Sequence, residues 1–217
     1  MTDHDWVAWH EPYDDAGSPL HRRLQAVQHH LRGALAAVPP GRVRVVSICA
    51  GQGRDLLGVL DGHPRRDDVV ARLVELDERN ADRARQAARA AGLDGVEVVT
   101  GDASRSDAYA GAVPADVVLA CGVFGNVADA DVRGTIAFLP QLCAPAATVV
   151  WTRHRNPPDL TLTIRGWFDE CGFDEIAFDA PGDAFFGVGV HRLRISPPPL
   201  RAGVRVFEFV GFDARSG

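Results

Sequence analysis

Two glycines one residue apart, Gly51 and Gly53, close an apolar run that starts at Val43 and opens into a helical stretch. A strand that stops in such a turn brings backbone N–H groups close to a ligand with no side chain in the way, and the helix start adds donors of its own. A second apolar run, Leu73-Val74-Glu75-Leu76-Asp77, ends in acid and places Glu75 22 residues beyond Gly53. A carboxylate at that spacing can accept hydrogen bonds from two ribose hydroxyls. The chemistry this suggests is recognition of a nucleoside; a plain strand-to-helix turn would use the same glycines. Asp77 suits the N-cap of the helix that follows. A dinucleotide fingerprint wants a small residue three positions after Gly53, and Leu56 stands there, which disfavours NAD.

Other chemistries fall away on composition. All 23 basic residues are arginine, so Schiff-base lysines, P-loop lysines and lysine general bases are excluded. A net charge of −6 gives no cationic footprint for nucleic acid or an anionic membrane, and a small-molecule partner is expected instead. Cys49, Cys121, Cys143 and Cys171 show no C-x-x-C spacing and lie in or beside apolar runs, the pattern of buried small hydrophobes rather than of disulfides or zinc. His29 and His30 are the only adjacent histidines and are expected to face apart on a helix, so no metal is expected. No apolar stretch of signal or membrane length occurs, and a cytoplasmic location is expected.

The elements that must position these residues follow from periodicity. Leu20, Leu24, Val27, Leu31 and Leu35 mark an amphipathic helix over 19–37, stopped by Pro39-Pro40-Gly41. Strand-like runs and helical stretches then alternate: strands over 43–49, 71–76, 96–100, 116–120 and 148–151, and helices up to about Leu60 and over 78–91, 130–142 and 160–171, with a short helix near Tyr109. Such alternation implies an α/β fold, a doubly wound parallel sheet. Beyond Gly172 the runs 175–178, 187–194 and 204–209 have no helices between them and are expected as antiparallel additions to the sheet edge. One globular domain is expected, with residues 1–38 as a helical cap or lid and 39–217 as the ligand-binding domain.

Taken together these motifs resemble the class I S-adenosylmethionine-dependent methyltransferases. Their first motif is an acid, x, Gly, x, Gly, x, Gly; Ser47-Ile48-Cys49-Ala50-Gly51-Gln52-Gly53 matches its last two glycines, with Cys49 at the first glycine and Ser47 at the acid. Val98-Val99-Thr100-Gly101-Asp102-Ala103 is similar to the third-strand end that contacts adenine, and Ala115 to Asn126 to the segment lining the methyl-transfer site. The resemblance covers residues 43–155. It implies a Rossmann-like, mostly parallel seven-stranded sheet with antiparallel C-terminal strands, and S-adenosyl-L-methionine as cofactor. The cofactor contacts it implies are Gly51, Gly53, Glu75, Leu76, Asp102, Ala103, Cys121 and Gly122. Asp102 would accept from the adenine amine, and Gly122 would let the chain pass close to the cofactor.

On the acceptor side, ligands bind beyond the carboxyl ends of parallel strands. That rule selects Phe124 and Asn126, then Trp151 and Arg153, as substrate contacts, with Phe185 or Phe186 as pocket walls and His154 as a general base if the acceptor must lose a proton. Trp6, Trp9 and Tyr13 lie in an N-terminal segment expected to cover the cofactor, and Tyr13 is its expected contact. His191, inside a strand, is expected to be structural. The expected activity is methyl transfer to a small-molecule acceptor. The alternatives are a cofactor-binding protein without transferase activity and a nucleotide-dependent oxidoreductase.

Overall fold

The computed structural model describes residues 8–182 and 185–209. Trp6 and Val7 of the expected lid, and Asp183 and Ala184 in the loop before Phe185, lie outside them. Among the described residues, seven strands form one sheet: β1 Val43–Ile48, β2 Val69–Glu75, β3 Val96–Thr100, β4 Ala115–Ala120, β5 Cys143–His154, β6 Phe173–Asp179 and β7 Phe186–Leu193, in the order β3-β2-β1-β4-β5-β7-β6. Helices α1 Pro19–Ala37, α2 Arg54–Leu60, α3 Glu78–Ala90, α4 Asp129–Phe138 and α5 Thr161–Glu170 cover its two faces. Leu31, Leu35, Leu56 and Ala84 pack α1, α2 and α3 on one face, while Val132, Ile136 and Phe168 pack α4 and α5 on the other. Burial on both faces explains why β1 and β4 read as continuous apolar runs rather than as alternations.

Local chemistry sets the helix starts. Ser18 accepts from the His21 N–H at 3.0 Å and Pro19 takes the first helical position of α1, where a missing N–H costs nothing. Asp77 accepts from the N–H groups of Arg79 and Asn80 and so caps α3, as its position predicts. α4 stops at Phe138, short of the expected Leu142, because Pro140 sits in a separate 3-10 turn over Leu139–Gln141. His29 and His30 do not point apart: their ring centroids are 5.3 Å from each other, and His30 Nε2 lies 2.7 Å from Asp179 Oδ2, tying α1 to the end of β6.

The C-terminal part departs from expectation in two ways. α5 carries the chain over from β5 to β6, and β7 then inserts between them, antiparallel to both. Of the seven described strands, β7 alone therefore runs against the sheet. Residues 204–209, expected as a strand, make two isolated bridges instead, Arg105 to Arg205 and Val127 to Phe209, so this segment lies along loops rather than along the sheet.

Candidate functional site

At the carboxyl ends of β1, β2, β3 and β4 the structure opens a cavity of about 600 Å³, a size typical of small-ligand sites. Its floor is the turn after β1. There Cys49, Gly51 and Gly53 all adopt left-handed φ values, of 52°, 57° and 70°. The Gly51 N–H donates to Glu75 Oε2 at 2.7 Å, and the Asp77 N–H donates to Glu75 Oε1 at 2.9 Å. Each carboxylate oxygen is thus fixed by one backbone donor and keeps acceptor capacity toward the cavity it lines. Burial raises the Glu75 carboxyl above its ordinary value, and the backbone N–H groups of Asp77, Gly51 and Leu76 oppose that shift. The second task of Glu75, holding the glycine turn, is invisible in sequence because no spacing shows which N–H faces it.

The two glycines do different work. A Cβ on Gly51 would lie 2.4 Å from His10 Nε2, so the turn is closely covered by the 3-10 helix Ala8–Asp14. A Cβ on Gly53 would lie 2.8 Å from Leu73 Cδ2 and 3.0 Å from Leu57 Cδ1. Gly53 does not line the cavity; it lets α2 pack on β2, a correction to its expected cofactor contact. Beside the turn, Asp102 accepts from the Ser104 N–H at 2.9 Å, which fixes its carboxylate at the cavity edge, while Ala103 is held by Tyr109 Oη donating to its carbonyl at 2.5 Å. Leu76 exposes 64% of its surface at the same cavity.

Across the turn lies a second group. Tyr13 is buried at the cavity wall, and the Arg23 guanidinium donates to its hydroxyl. Burial raises the Tyr13 phenol, against the lowering by Arg23, so it stays neutral. Asp55, in the first turn of α2, is also raised by burial and lies beside Cys121. Burial and the Asp55 charge hold the Cys121 thiol well above its usual range; burial with Glu75 and Asp102 does the same for Cys49. Neither thiol is poised as a nucleophile. Although they end neighbouring strands, they pack against opposite faces of the sheet. The Gly122 N–H donates to Thr152 Oγ1 at 2.8 Å, and Asn126 donates to the Gly122 carbonyl, bringing both residues to the cavity.

The structure thus brings Tyr13, Gly51, Glu75, Leu76, Asp102, Ala103, Cys121, Gly122 and Asn126 around one cavity. Besides Gly53, four expected residues are placed elsewhere. Phe124 and Trp151 are fully buried among aromatic rings, with Trp151 stacked on Phe168 and its indole N–H donating to His191 Nδ1 at 3.0 Å. Arg153 turns inward as well, donating to the Phe124 carbonyl and lying 3.4 Å from Asp129, so it supports the loop after β4. His154 ends β5 opposite Phe186 and packs on Gly125, outside the cavity wall. For Trp151, Arg153 and His154 the reason is common: β5 is paired along both edges, and its alternating side chains point into the layers above and below the sheet. Phe185 is exposed and Phe186 is buried against α1, and neither walls this cavity. Sequence reasoning missed His10, Arg23, Asp55 and Phe209, which do line it. The placement of Asp55 two residues beyond Gly53, in the first turn of α2, was the one signal available.

Residues 19–169 match the family described as "Putative methyltransferase", which is more than half of the 217 residues. The chain belongs to this methyltransferase family. Its solved structural neighbours share the fold. An O-methyltransferase family protein from Burkholderia thailandensis superposes with a TM-score of 0.67 at 19% identity over 93% of this chain, which spans 62% of that protein. Magnesium protoporphyrin IX methyltransferase from Synechocystis PCC 6803, solved with bound S-adenosylmethionine, gives 0.68 at 13% identity over 88% of this chain and 92% of its own. A carbon methyltransferase gives 0.60 at 16% identity, over 88% of this chain and 62% of its own. No curated protein matches the sequence. The family match runs from α1 through α5 and leaves out β6, β7 and the C-terminal segment.

Proposed function

We propose that the cavity binds S-adenosyl-L-methionine and that the protein transfers its methyl group to a small-molecule acceptor. The observation that carries this reading is the Glu75 carboxylate, fixed by the Gly51 and Asp77 N–H groups at the end of β2 and facing the same cavity as Asp102. That arrangement fits a ribose, whose two hydroxyls need acceptors held rigidly side by side. Asp102 fits the amino group of adenine, with Leu76 and Ala103 beside the base. At the other end, Arg23 and Asp55 carry the opposite charges that the carboxylate and ammonium of a methionyl group require, with Tyr13 beside Arg23. The family membership and the neighbour solved with bound S-adenosylmethionine support the same assignment.

When bound, the cofactor supplies a methyl group on a sulfonium sulfur as the electrophile. The protein's part is positioning and exclusion of water, which can contribute several kcal/mol to the barrier. The loop after β4, held by Thr152 and Arg153, sets Asn126 at the cavity, where it can orient an acceptor. His154, behind Gly125, is not in reach of a group in the cavity without a shift of that loop. The acidic composition supports a small-molecule rather than a nucleic-acid or membrane partner. The four cysteines, all free thiols, suit the reducing cytoplasm. No described helix is long and apolar enough to cross a membrane. Transfer of label from methyl-labelled S-adenosylmethionine to a panel of hydroxyl, amine, thiol and carbon acceptors tests the reading. Label moving to one acceptor class is the expected result, and cofactor binding with no transfer to any class would leave a binding protein instead.

A further inference from the structure

We propose that the C-terminal segment builds one wall of the adenine subsite and that the ring of Phe209 stacks on the base; this rests on the nucleoside reading of the cavity. Residues 203–209 form no strand, yet they are pinned along their length. Gly203 N–H donates to Asp107 Oδ1, Ser106 N–H to the Val204 carbonyl, and Val206 N–H to the Ser104 carbonyl, at 2.8 to 2.9 Å. Phe207 is buried in the core and meets Phe209 edge-on, with ring centroids 5.5 Å apart. Phe209 itself bridges to Val127. The anchors are therefore the turn that carries Asp102 and Ala103 and the loop that carries Asn126, and Phe209 lines the cavity between them.

That position has a chemical consequence. Phe209 leaves 39% of its surface exposed and Leu76 leaves 64%, so two apolar surfaces face the cavity beside a carboxylate suited to an exocyclic amine. A planar heterocycle with an amino edge covers both surfaces and meets Asp102, and stacking of a base on an aromatic side chain is favourable for any base because each has a π-face. The contact comes from a segment beyond residues 19–169, the part of the chain that matches the family.

The test is calorimetric titration of the protein and of Phe209→Ala with S-adenosylhomocysteine and with 5′-methylthioadenosine, which keeps the nucleoside and lacks the amino-acid end. Both ligands are expected to bind the variant about tenfold more weakly, by equal factors, with the melting temperature little changed. Phe209→Leu, which keeps apolar volume without a flat face, is expected to lose part of that affinity and serves where the alanine variant folds poorly. Parent affinity for both ligands, or a loss confined to S-adenosylhomocysteine, would overturn the proposal, the second because Phe209 would then act at the amino-acid or acceptor end. Failure of the parent protein to bind either ligand would instead remove the nucleoside reading itself, and this inference with it.

Discussion

On the proposed reading one side chain, Glu75, holds both a ligand and the loop that receives it. Its oxygens accept from Gly51 and Asp77 at 2.7 and 2.9 Å, so a change there acts on the turn as well as on the proposed ribose contact. Glu75→Gln puts an amide N–H₂ against one of those donors. We expect a loss of about 1–3 kcal/mol in S-adenosylhomocysteine affinity together with a lower melting temperature. Asp102 sits exposed on its turn and holds only the Ser104 N–H in the hydrogen bonds of the site. Asp102→Asn should weaken the ligand and leave the melting temperature near the parent's; equal thermal loss in both variants would contradict the division of roles. At this scale the sequence picked out Glu75 as a cavity residue through its distance from Gly53. It could not show that Gly53 faces Leu73 and Leu57 while Gly51 faces His10, because which side of a turn a Cβ would occupy depends on chain segments far apart in sequence.

Among elements, the turn into α2 and the β5–β7 pair decide how well the site is held. Gly53 has φ 70° and no room for a Cβ, so Gly53→Ala should cost about 2 kcal/mol or more in unfolding free energy, with any loss of ligand following from misplacement of the turn. Chemical denaturation measures this; a fully stable Gly53→Ala would show that α2 can move off β2 freely. On the other side, His191 is buried against Phe168 and receives the Trp151 N–H on Nδ1. Burial brings its pKa from 6.5 down to about 4, opposed by Glu175 and aided by Arg165. Between those values the unfolded chain binds a proton that the folded chain does not. Stability is therefore full above pH 6.5 and falls as pH drops toward 4, by about 3 kcal/mol from this residue. His191→Gln keeps an acceptor for Trp151 and should flatten that part of the pH profile; an unchanged slope would assign it to other groups. His191 was legible as structural from its place inside a strand. Trp151 and Arg153 were misplaced at the rim because β5 runs to His154, three residues beyond its expected end, and carries them inside the sheet layers.

For the whole molecule, function follows from where the sheet reverses its winding. β1 and β4 are neighbours, and the chain leaves β1 through a helix on one face and β4 through a helix on the other, so their carboxyl ends spread and leave the cavity between them. The strand-helix alternation made this architecture readable from residue 43 to residue 171. The insertion of β7 between β5 and β6 was not readable, since pairing order is set by long-range contacts that leave no local pattern. The C-terminal segment was misread as a strand for a related reason: Val204, Val206 and Phe207 have strand-like composition, but their partners are loop backbone groups near Ser104 and Ser106 rather than a sheet edge.

The most direct measurement is a calorimetric titration of the purified protein with S-adenosylhomocysteine, repeated with NAD and with Glu75→Gln. One binding site for S-adenosylhomocysteine, weaker in Glu75→Gln by about fivefold or more, and no heat from NAD is the expected result. Saturable NAD binding that S-adenosylhomocysteine does not displace, or S-adenosylhomocysteine affinity indifferent to Glu75, would contradict the assignment of this cavity.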